Sequence, residues 1–311
     1  MRVIVSGSLA YDRIMDFPGH FGDHILPKKI HQLNVSFNVS TFRQEFGGTA
    51  GNIAYGLRLL GVEPRIIARS GSDFGAYRTW LSRHRISQAT IRTDLQATAA
   101  AHIITDQDDN QITGFFPGAL GRSYGSFPKS LFTDVGLAII SPGNLVDMDR
   151  LPRELHKHQV LYFFDPGQVT TALSKATLLQ GISGALGMFC NDYELAMIVS
   201  KTSLPLPQLR KRLELLIVTR GGAGSDVYAG GEQYRIPIVK PRRLVDPTGA
   251  GDAYRAGFIA GLLRGYSIET IGRFAATVAV HAVEQYGTQT YRFTSTTIRQ
   301  RFNQAFGHTL E

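Results

Sequence analysis

The 311-residue chain has a single cysteine, Cys190, so no disulfide can form within it and nothing in it calls for an oxidising compartment. No apolar run approaches the roughly 18 residues of a membrane span. The first apolar stretch, Val3 to Ala10, is short, contains Ser6, Gly7 and Ser8, and lacks the basic lead-in of a secretory signal. The chain is therefore expected to be soluble and cytoplasmic, with no membrane partner. Among nine histidines, no pair at metal-binding spacing comes with a matching third ligand, which argues against zinc. A basic tail is also missing. Lys and Arg outnumber Asp and Glu by 33 to 25, yet the densest spots are only Lys28-Lys29, Arg210-Lys211-Arg212 and Arg242-Arg243. With no nucleic-acid module signature beside them, these bases read as ordinary surface, and nucleic acid is not an expected partner. What remains is 43% hydrophobic, enough for a large core in one large α/β domain or two modest ones.

No repeat or low-complexity tract stands out. Arg2 to Ser6 reads as a buried strand. Val35 to Phe42 alternates apolar and polar with period two, which predicts a half-exposed antiparallel strand. Ala99–Thr105 and Gln111–Phe116 read as a hairpin across a turn of Asp, Gln and Asn. These segments predict a small sheet separate from the main body. Between them, Ala50 to Leu60 places Ile53, Ala54, Leu57 and Leu60 on one helical face, with Gly61 as a stop. Beyond residue 120, apolar runs at 135–140, 160–164, 185–189 and 213–218 recur about every 25 to 28 residues, the length of a strand–helix unit. The fold class is α/β, with a doubly wound, mostly parallel sheet carrying helices on both faces. The large domain is expected at 1–11, 46–95 and 121–311, and the small β-sheet lid at 12–45 and 96–120. Each apolar run ends in a small polar turn, at Ser141-Pro-Gly-Asn144, Asp165-Pro-Gly-Gln168, Asn191-Asp-Tyr-Glu194 and Thr219-Arg-Gly-Gly222. Open α/β sheets bind ligands at the carboxyl ends of their strands, so four such turns in succession favour a long polar ligand over mere turn chemistry.

The sharpest segment is Asp246-Pro-Thr-Gly-Ala-Gly-Asp252, running into a helix that begins near Gly251. Its glycines let backbone N–H groups turn inward at the helix N-terminus and form an anion hole. Asp252 there fits a general base beside a transferring phosphoryl group; the bland reading is a helix-capping aspartate. No Gly-Lys-Ser/Thr follows the glycines, and the Gly-x-Gly-x-x-Gly spacing is absent, so this is neither a Walker A loop nor a dinucleotide fingerprint. Charge stabilisation would then come from backbone amides and magnesium.

Gly47-Gly-Thr-Ala-Gly-Asn-Ile-Ala54 and Asp246-Pro-Thr-Gly-Ala-Gly-Asp-Ala-Tyr254 resemble the two signatures of the ribokinase-like (phosphofructokinase-B type) sugar and nucleoside kinase family. The resemblance extends to Gly7-Ser-Leu-Ala-Tyr-Asp12, Asn191-x-x-Glu194 and Thr219-x-Gly-x-x-Gly224. It implies that Asp252 takes the proton of the acceptor hydroxyl while the amides of Gly249, Ala250 and Gly251 hold the developing charge. It implies that Asn191 and Glu194 organise Mg2+ and its waters, and that Asn191, Thr219, Gly221 and Gly224 line the site of ATP, the co-substrate. A monovalent cation, K+, is implied at Asp246 and Thr248. Ser8, Asp12, Gly47, Gly48 and Asn52 match positions that hold the acceptor, whose cis-diol a carboxylate can grip with two hydrogen bonds.

The lid carries Phe37, Phe42, Phe46, Phe115 and Phe116, and a flat purine could stack among such rings. Phe37 and Phe115 are the chosen base contacts, against lid-core packing as the plainer reading. Leu33 to Asn38, Gln111 to Ala119 and Tyr286-Gly-Thr-Gln-Thr290 resemble the bacterial and archaeal nucleoside kinase branch. Thr49, where sugar kinases often carry lysine, and Asp165-Pro-Gly-Gln168 depart from the sugar-kinase pattern. The expected function is an ATP-dependent nucleoside kinase, specifically an adenosine kinase acting on the ribose 5′-hydroxyl. The rivals are a sugar kinase of the same fold and a catalytically idle nucleotide-binding regulator. Exposed lid edges could pair into a homodimer.

Overall fold

The computed structural model describes residues 2–25, 34–108 and 110–310. Lys28, Lys29 and Leu33, named above, lie outside the described residues. Nine strands form the main sheet: β1 (Arg2–Ser6), β4 (Glu63–Ser70), β5 (Ile91–Thr93), β8 (Val135–Ile140), β9 (Leu161–Phe164), β10 (Gly187–Asn191), β11 (Leu215–Thr219), β12 (Ser225–Ala229) and β13 (Glu232–Ile236). Their order is β13-β12-β11-β10-β9-β8-β1-β4-β5, and all pairings are parallel except those of β12 with its two neighbours. Four of these strands realise the predicted apolar runs to within two residues. Period two decides which core each side chain joins. Val3, Val5, Leu137, Ile139, Phe163 and Phe189 face one core, and Ile4, Ala138, Ile140, Phe164, Met188 and Cys190 face the other.

Helices cover both faces. On the first lie α2 (Thr49–Leu59), α3 (Gly75–Arg83), α8 (Ala250–Leu263) and α9 (Ile268–Val283); on the second lie α4 (Leu145–Lys157), α5 (Lys175–Ile182), α6 (Asp192–Thr202) and α7 (Leu206–Arg212). A last helix, α10 (Ser295–Phe306), packs Ile298 and Phe302 into a smaller cluster with Tyr55, Phe274 and Tyr291. The predicted face of α2 is the buried one: Ile53, Ala54 and Leu57 are fully covered, and Gly61 follows at φ +76°. No helix among the described residues is long and apolar enough to cross a membrane.

A second sheet of four strands has the order β3-β2-β6-β7, from β2 (Ala10–Asp16), β3 (Thr41–Gly47), β6 (Ala99–Thr105) and β7 (Gln111–Phe116). The hairpin β6–β7 forms with its predicted ends. β2 joins β3 antiparallel and β6 parallel, so the sheet is mixed. The strand expected at 35–42 is instead Thr41–Gly47. Pairing explains the shift: β2 ends at Asp16, whose partner is Thr41, and among the described residues no strand pairs with 34–40. Alternation in that segment reflects burial of Phe37 against Phe17, Phe21 and His24, with centroids 4.9, 5.0 and 5.9 Å away. Phe21 and His24 belong to the one-turn helix α1 (Phe21–His24).

The chain leaves β1 toward β4 on one side and returns to β8 on the other. This reversal of strand order opens a crevice at the carboxyl ends, where α/β sheets hold ligands.

Candidate active site

The crevice floor is built from three turns locked together. The Thr49 amide donates to Ser8 Oγ at 3.0 Å, the Ala50 amide to the Ser8 carbonyl at 3.0 Å, and the Thr49 hydroxyl to the Pro142 carbonyl at 2.9 Å. Gly48 precedes α2 at φ +86°, with the backbone of Ser8 and Ala10 so near that a Cβ would lie 2.6–2.8 Å from it. Only glycine fits there. Gly47 is held open in the same way by the Asp12 carboxylate, which lies over its Cα.

α2 and α8 bring the chemistry together. They touch where Gly56 faces Ala256, so closely that a Cβ on Gly56 would meet Ala256 Cβ at 2.7 Å. One turn before each contact residue stand Asn52 and Asp252. Asn52 Nδ2 donates to Asp252 Oδ2 at 2.8 Å. Asn52 Oδ1 in turn accepts from Thr288 Oγ1 at 2.7 Å and Gln289 Nε2 at 3.0 Å. Gln289 also donates to the Tyr77 hydroxyl at 2.5 Å, and Trp80 Nε1 donates to Gln289 Oε1 at 3.0 Å. Gln289, 2% exposed, is thus fixed at both ends. This chain of bonds fixes the Asn52 amide with its N–H₂ toward the aspartate. Thr288, Gln289, Tyr77 and Trp80 were not singled out from sequence. The only signal was the Tyr286-to-Thr290 resemblance, and nothing local ties it to residue 52.

Asp252 is the third residue of α8, not its cap. The N-cap is Gly249, in the left-handed region at φ +77°, and no side chain caps this terminus. The Ala250 amide bonds back to the Pro247 carbonyl at 3.2 Å, and the Ala253 amide begins the helical ladder on Gly249 O. The amides of Gly251 and Asp252 remain, at the positive end of the helix dipole. Burial pushes the Asp252 carboxyl up to about 6, against the lowering pull of Arg255 and of the Asn52 hydrogen bond. Asp12 is also pushed up to about 6, first by burial, then by the negative charges of Asp246, Asp252 and Glu45. A carboxylate so poised can take a proton near neutral pH.

The other positions divide. Asn191 and Glu194 form a reciprocal capping box on α6: the Glu194 amide donates to Asn191 Oδ1 at 2.7 Å and the Asn191 amide to Glu194 Oε2 at 2.8 Å. Glu194 Oε1 stays available, and burial raises its carboxyl above the ordinary range. Asn144, in the first polar turn, caps α4 and donates to the Leu120 carbonyl, so turn chemistry accounts for it. Thr219 closes β11, and Gly221 and Gly224 form the turn to β12, both at positive φ. A cavity of about 490 Å³ beside that turn is lined by Arg220, Ser225, Asp226 and Arg235 among others. Asp246 accepts the amides of Thr248 at 2.9 Å and Gly287 at 3.2 Å, and Thr248 is exposed. Asp246, the carboxylate expected at a monovalent cation, thus ties the loop at Thr248 to the loop at Gly287. Cys190 is fully buried, and burial raises its thiol, as an inert core residue requires. Phe115 is 55% exposed and in register with Ala101, which pairs Asp12, so both side chains stand on one face of the smaller sheet. Phe37 lies in the separate aromatic cluster around Phe17.

A glycine-framed helix start, a poised carboxylate and a second carboxylate across the switch-point crevice define an α/β phosphotransferase acting on an alcohol. Residues 5–294 match the pfkB family of carbohydrate kinases, and the chain belongs to that family, whose members transfer phosphate to a hydroxyl group. It is 32% identical over 266 residues to the nucleoside kinase of Methanocaldococcus jannaschii, covering 85% of this chain and 87% of that one. It is 35% identical over 266 residues to the nucleoside kinase of Methanothermobacter thermautotrophicus, covering 83% and 84%. Among solved structures, Burkholderia thailandensis nucleoside kinase in complex with inosine superposes with a TM-score of 0.86 at 36% identity, over 99% of both chains.

Proposed function

We propose that the protein is an ATP-dependent nucleoside kinase that phosphorylates the 5′-hydroxyl of a purine nucleoside. The observation that carries the reading is the Asp252 carboxylate at an uncapped helix start, held by Asn52 Nδ2 at 2.8 Å. In the transfer, the acceptor O–H proton passes to Asp252. The acceptor oxygen bonds the γ-phosphorus as the bond to the β–γ bridging oxygen breaks, and ADP leaves. The Gly251 and Asp252 amides face the developing charge. Mg2+ keeps several waters and takes few carboxylates beside substrate phosphates, and Glu194 Oε1 with the remaining lone pair of Asn191 Oδ1 supplies such hard oxygens. When bound, the metal would neutralise phosphate charge.

Asp12, beside Gly47 and Gly48, would grip the ribose 2′- and 3′-hydroxyls. Phe115, on the same face, would stack on the base as the smaller sheet closes as a lid. The nucleoside acceptor is supported by relatives described as nucleoside kinases, one of them solved with inosine. Adenosine is the expected acceptor, and inosine its nearest competitor.

A magnesium-ATP consumption assay with adenosine, inosine, guanosine, cytidine, ribose and fructose 6-phosphate tests the assignment. A purine nucleoside should lead by at least about tenfold in kcat/KM, since ribose offers no ring to stack. Faster turnover of ribose or a sugar phosphate would overturn it.

A further inference from the structure

A second charged side chain lies buried beside the proposed site. Arg255 lies one turn along α8 from Asp252 and is 9% exposed. Its Nε and Nη2 donate to the two oxygens of Asp165 at 2.5 and 2.7 Å, a bidentate pair with a carboxylate 1% exposed. Asp165 stands at the carboxyl end of β9, and the Phe189 ring of β10 lies 5.6 Å from the guanidinium carbon. The side chain is therefore held between the Asp165 carboxylate and the Phe189 ring. The clamp uses one edge of the guanidinium. Among the described residues, Nη1 has no hydrogen-bond partner. It folds back over the helix start, so close that a Cβ on Gly251 would lie 2.7 Å from it.

We infer that Arg255 Nη1 is a further donor to the transferring phosphoryl group, aimed into the anion pocket beside the Gly251 amide and held rigid by Asp165. The inference rests on the kinase reading of this site. A planar guanidinium fixed along one edge can present the other without paying rotamer entropy at the moment of reaction. Its charge falls where negative charge develops, and a preformed donor at such a point needs no reorganisation during the transfer. The same guanidinium opposes the upward shift of Asp252. Gly251 then serves twice, once for its amide and once because any side chain would displace Nη1.

The test is Arg255→Lys, which keeps the charge and a partner for Asp165 but loses the second edge. The expected result is a fall in kcat of about 10²-fold, the typical loss for one such donor, with KM for the acceptor within about threefold. Affinity for ADP with aluminium fluoride, a mimic of the transferring group, should fall by a similar factor while affinity for ADP alone holds. Should the lysine variant not fold, the paired change Arg255→Met with Asp165→Leu removes both charges together, and the same readouts apply. Unchanged kcat would overturn the inference. So would a parallel loss of ADP affinity, acceptor KM and thermal midpoint, which marks a merely structural ion pair. Aluminium fluoride binding is read without an acceptor. If no nucleoside is phosphorylated but that loss appears, the acceptor assignment fails and Arg255 stands.

Discussion

Asp252 and Asp12 are two carboxylates whose negative charges oppose each other across one crevice, and both are raised to about 6. In the proposed transfer each must be ionised to act, Asp252 to take a proton and Asp12 to accept hydrogen bonds. Activity should therefore fall as pH drops through about 6, more steeply than a one-proton loss because both carboxylates must be ionised at once. Asp12→Asn should leave a one-proton acid limb, and Asp252→Asn should lower kcat by at least about 10²-fold with ATP binding intact. A rate profile from pH 5 to 8 on each variant checks both. Stability carries the opposite sign. A carboxyl with a raised folded pKa binds more protons folded than unfolded, so its contribution to stability is lost as pH rises from about 4 to 6. Asp12→Asn should then gain thermal midpoint over the native protein at pH 8 and not at pH 4, as scanning calorimetry would show.

At the scale of elements, the smaller sheet sorts its aromatics by register. Phe115 shares a face with Asp12, whereas Tyr11 and Phe46 point to the opposite face and pack on Tyr77, with centroids 6.0 and 4.8 Å from its ring. Phe37 lies outside the strands altogether. As aromatics of the expected lid, Phe37 and Phe115 look alike in sequence, because a sequence does not say which strand is a segment's neighbour. Phe115→Ala should lower kcat/KM for the purine nucleoside by one to two orders of magnitude, matching a stacking contact of about 1–3 kcal/mol, and leave any weak turnover of ribose nearly unchanged. Phe37→Ala should lower the thermal midpoint and affect both acceptors alike. Steady-state kinetics on the two variants, beside their melting curves, separates the roles.

For the whole molecule, the two sheets differ in how firmly they are held. Strands β8 to β11 are mostly buried between two helical layers, while every residue of β7 is exposed and β3 is buried only at its end. Few buried apolar contacts and open backbone edges mark a low-stability element, which suits a lid that closes over a ligand. Hydrogen exchange should be faster in β3 and β7 than in β8 to β11. Adding a purine nucleoside with ADP should slow exchange in the smaller sheet by at least about tenfold and change the large sheet little. Equal protection of both sheets would mean that closure does not occur.

The repeated apolar runs were enough to fix the α/β class, since a buried parallel strand reads as continuous hydrophobic sequence. The Asp246-to-Asp252 segment was equally legible, because its glycines and aspartate serve local backbone geometry that a motif can carry. Two results lay beyond it. The partner of a strand is chosen by chain packing, so the smaller sheet takes 41–47 in place of 35–42 and joins β2 to β6 in parallel. The contacts of Asp252 come from 200 residues away, at Asn52, and from a neighbouring strand end, through Arg255 and Asp165. Only the close crossing of α2 and α8 at Gly56 and Ala256 makes Asn52 and Asp252 neighbours, and spacing along the chain holds no record of a crossing.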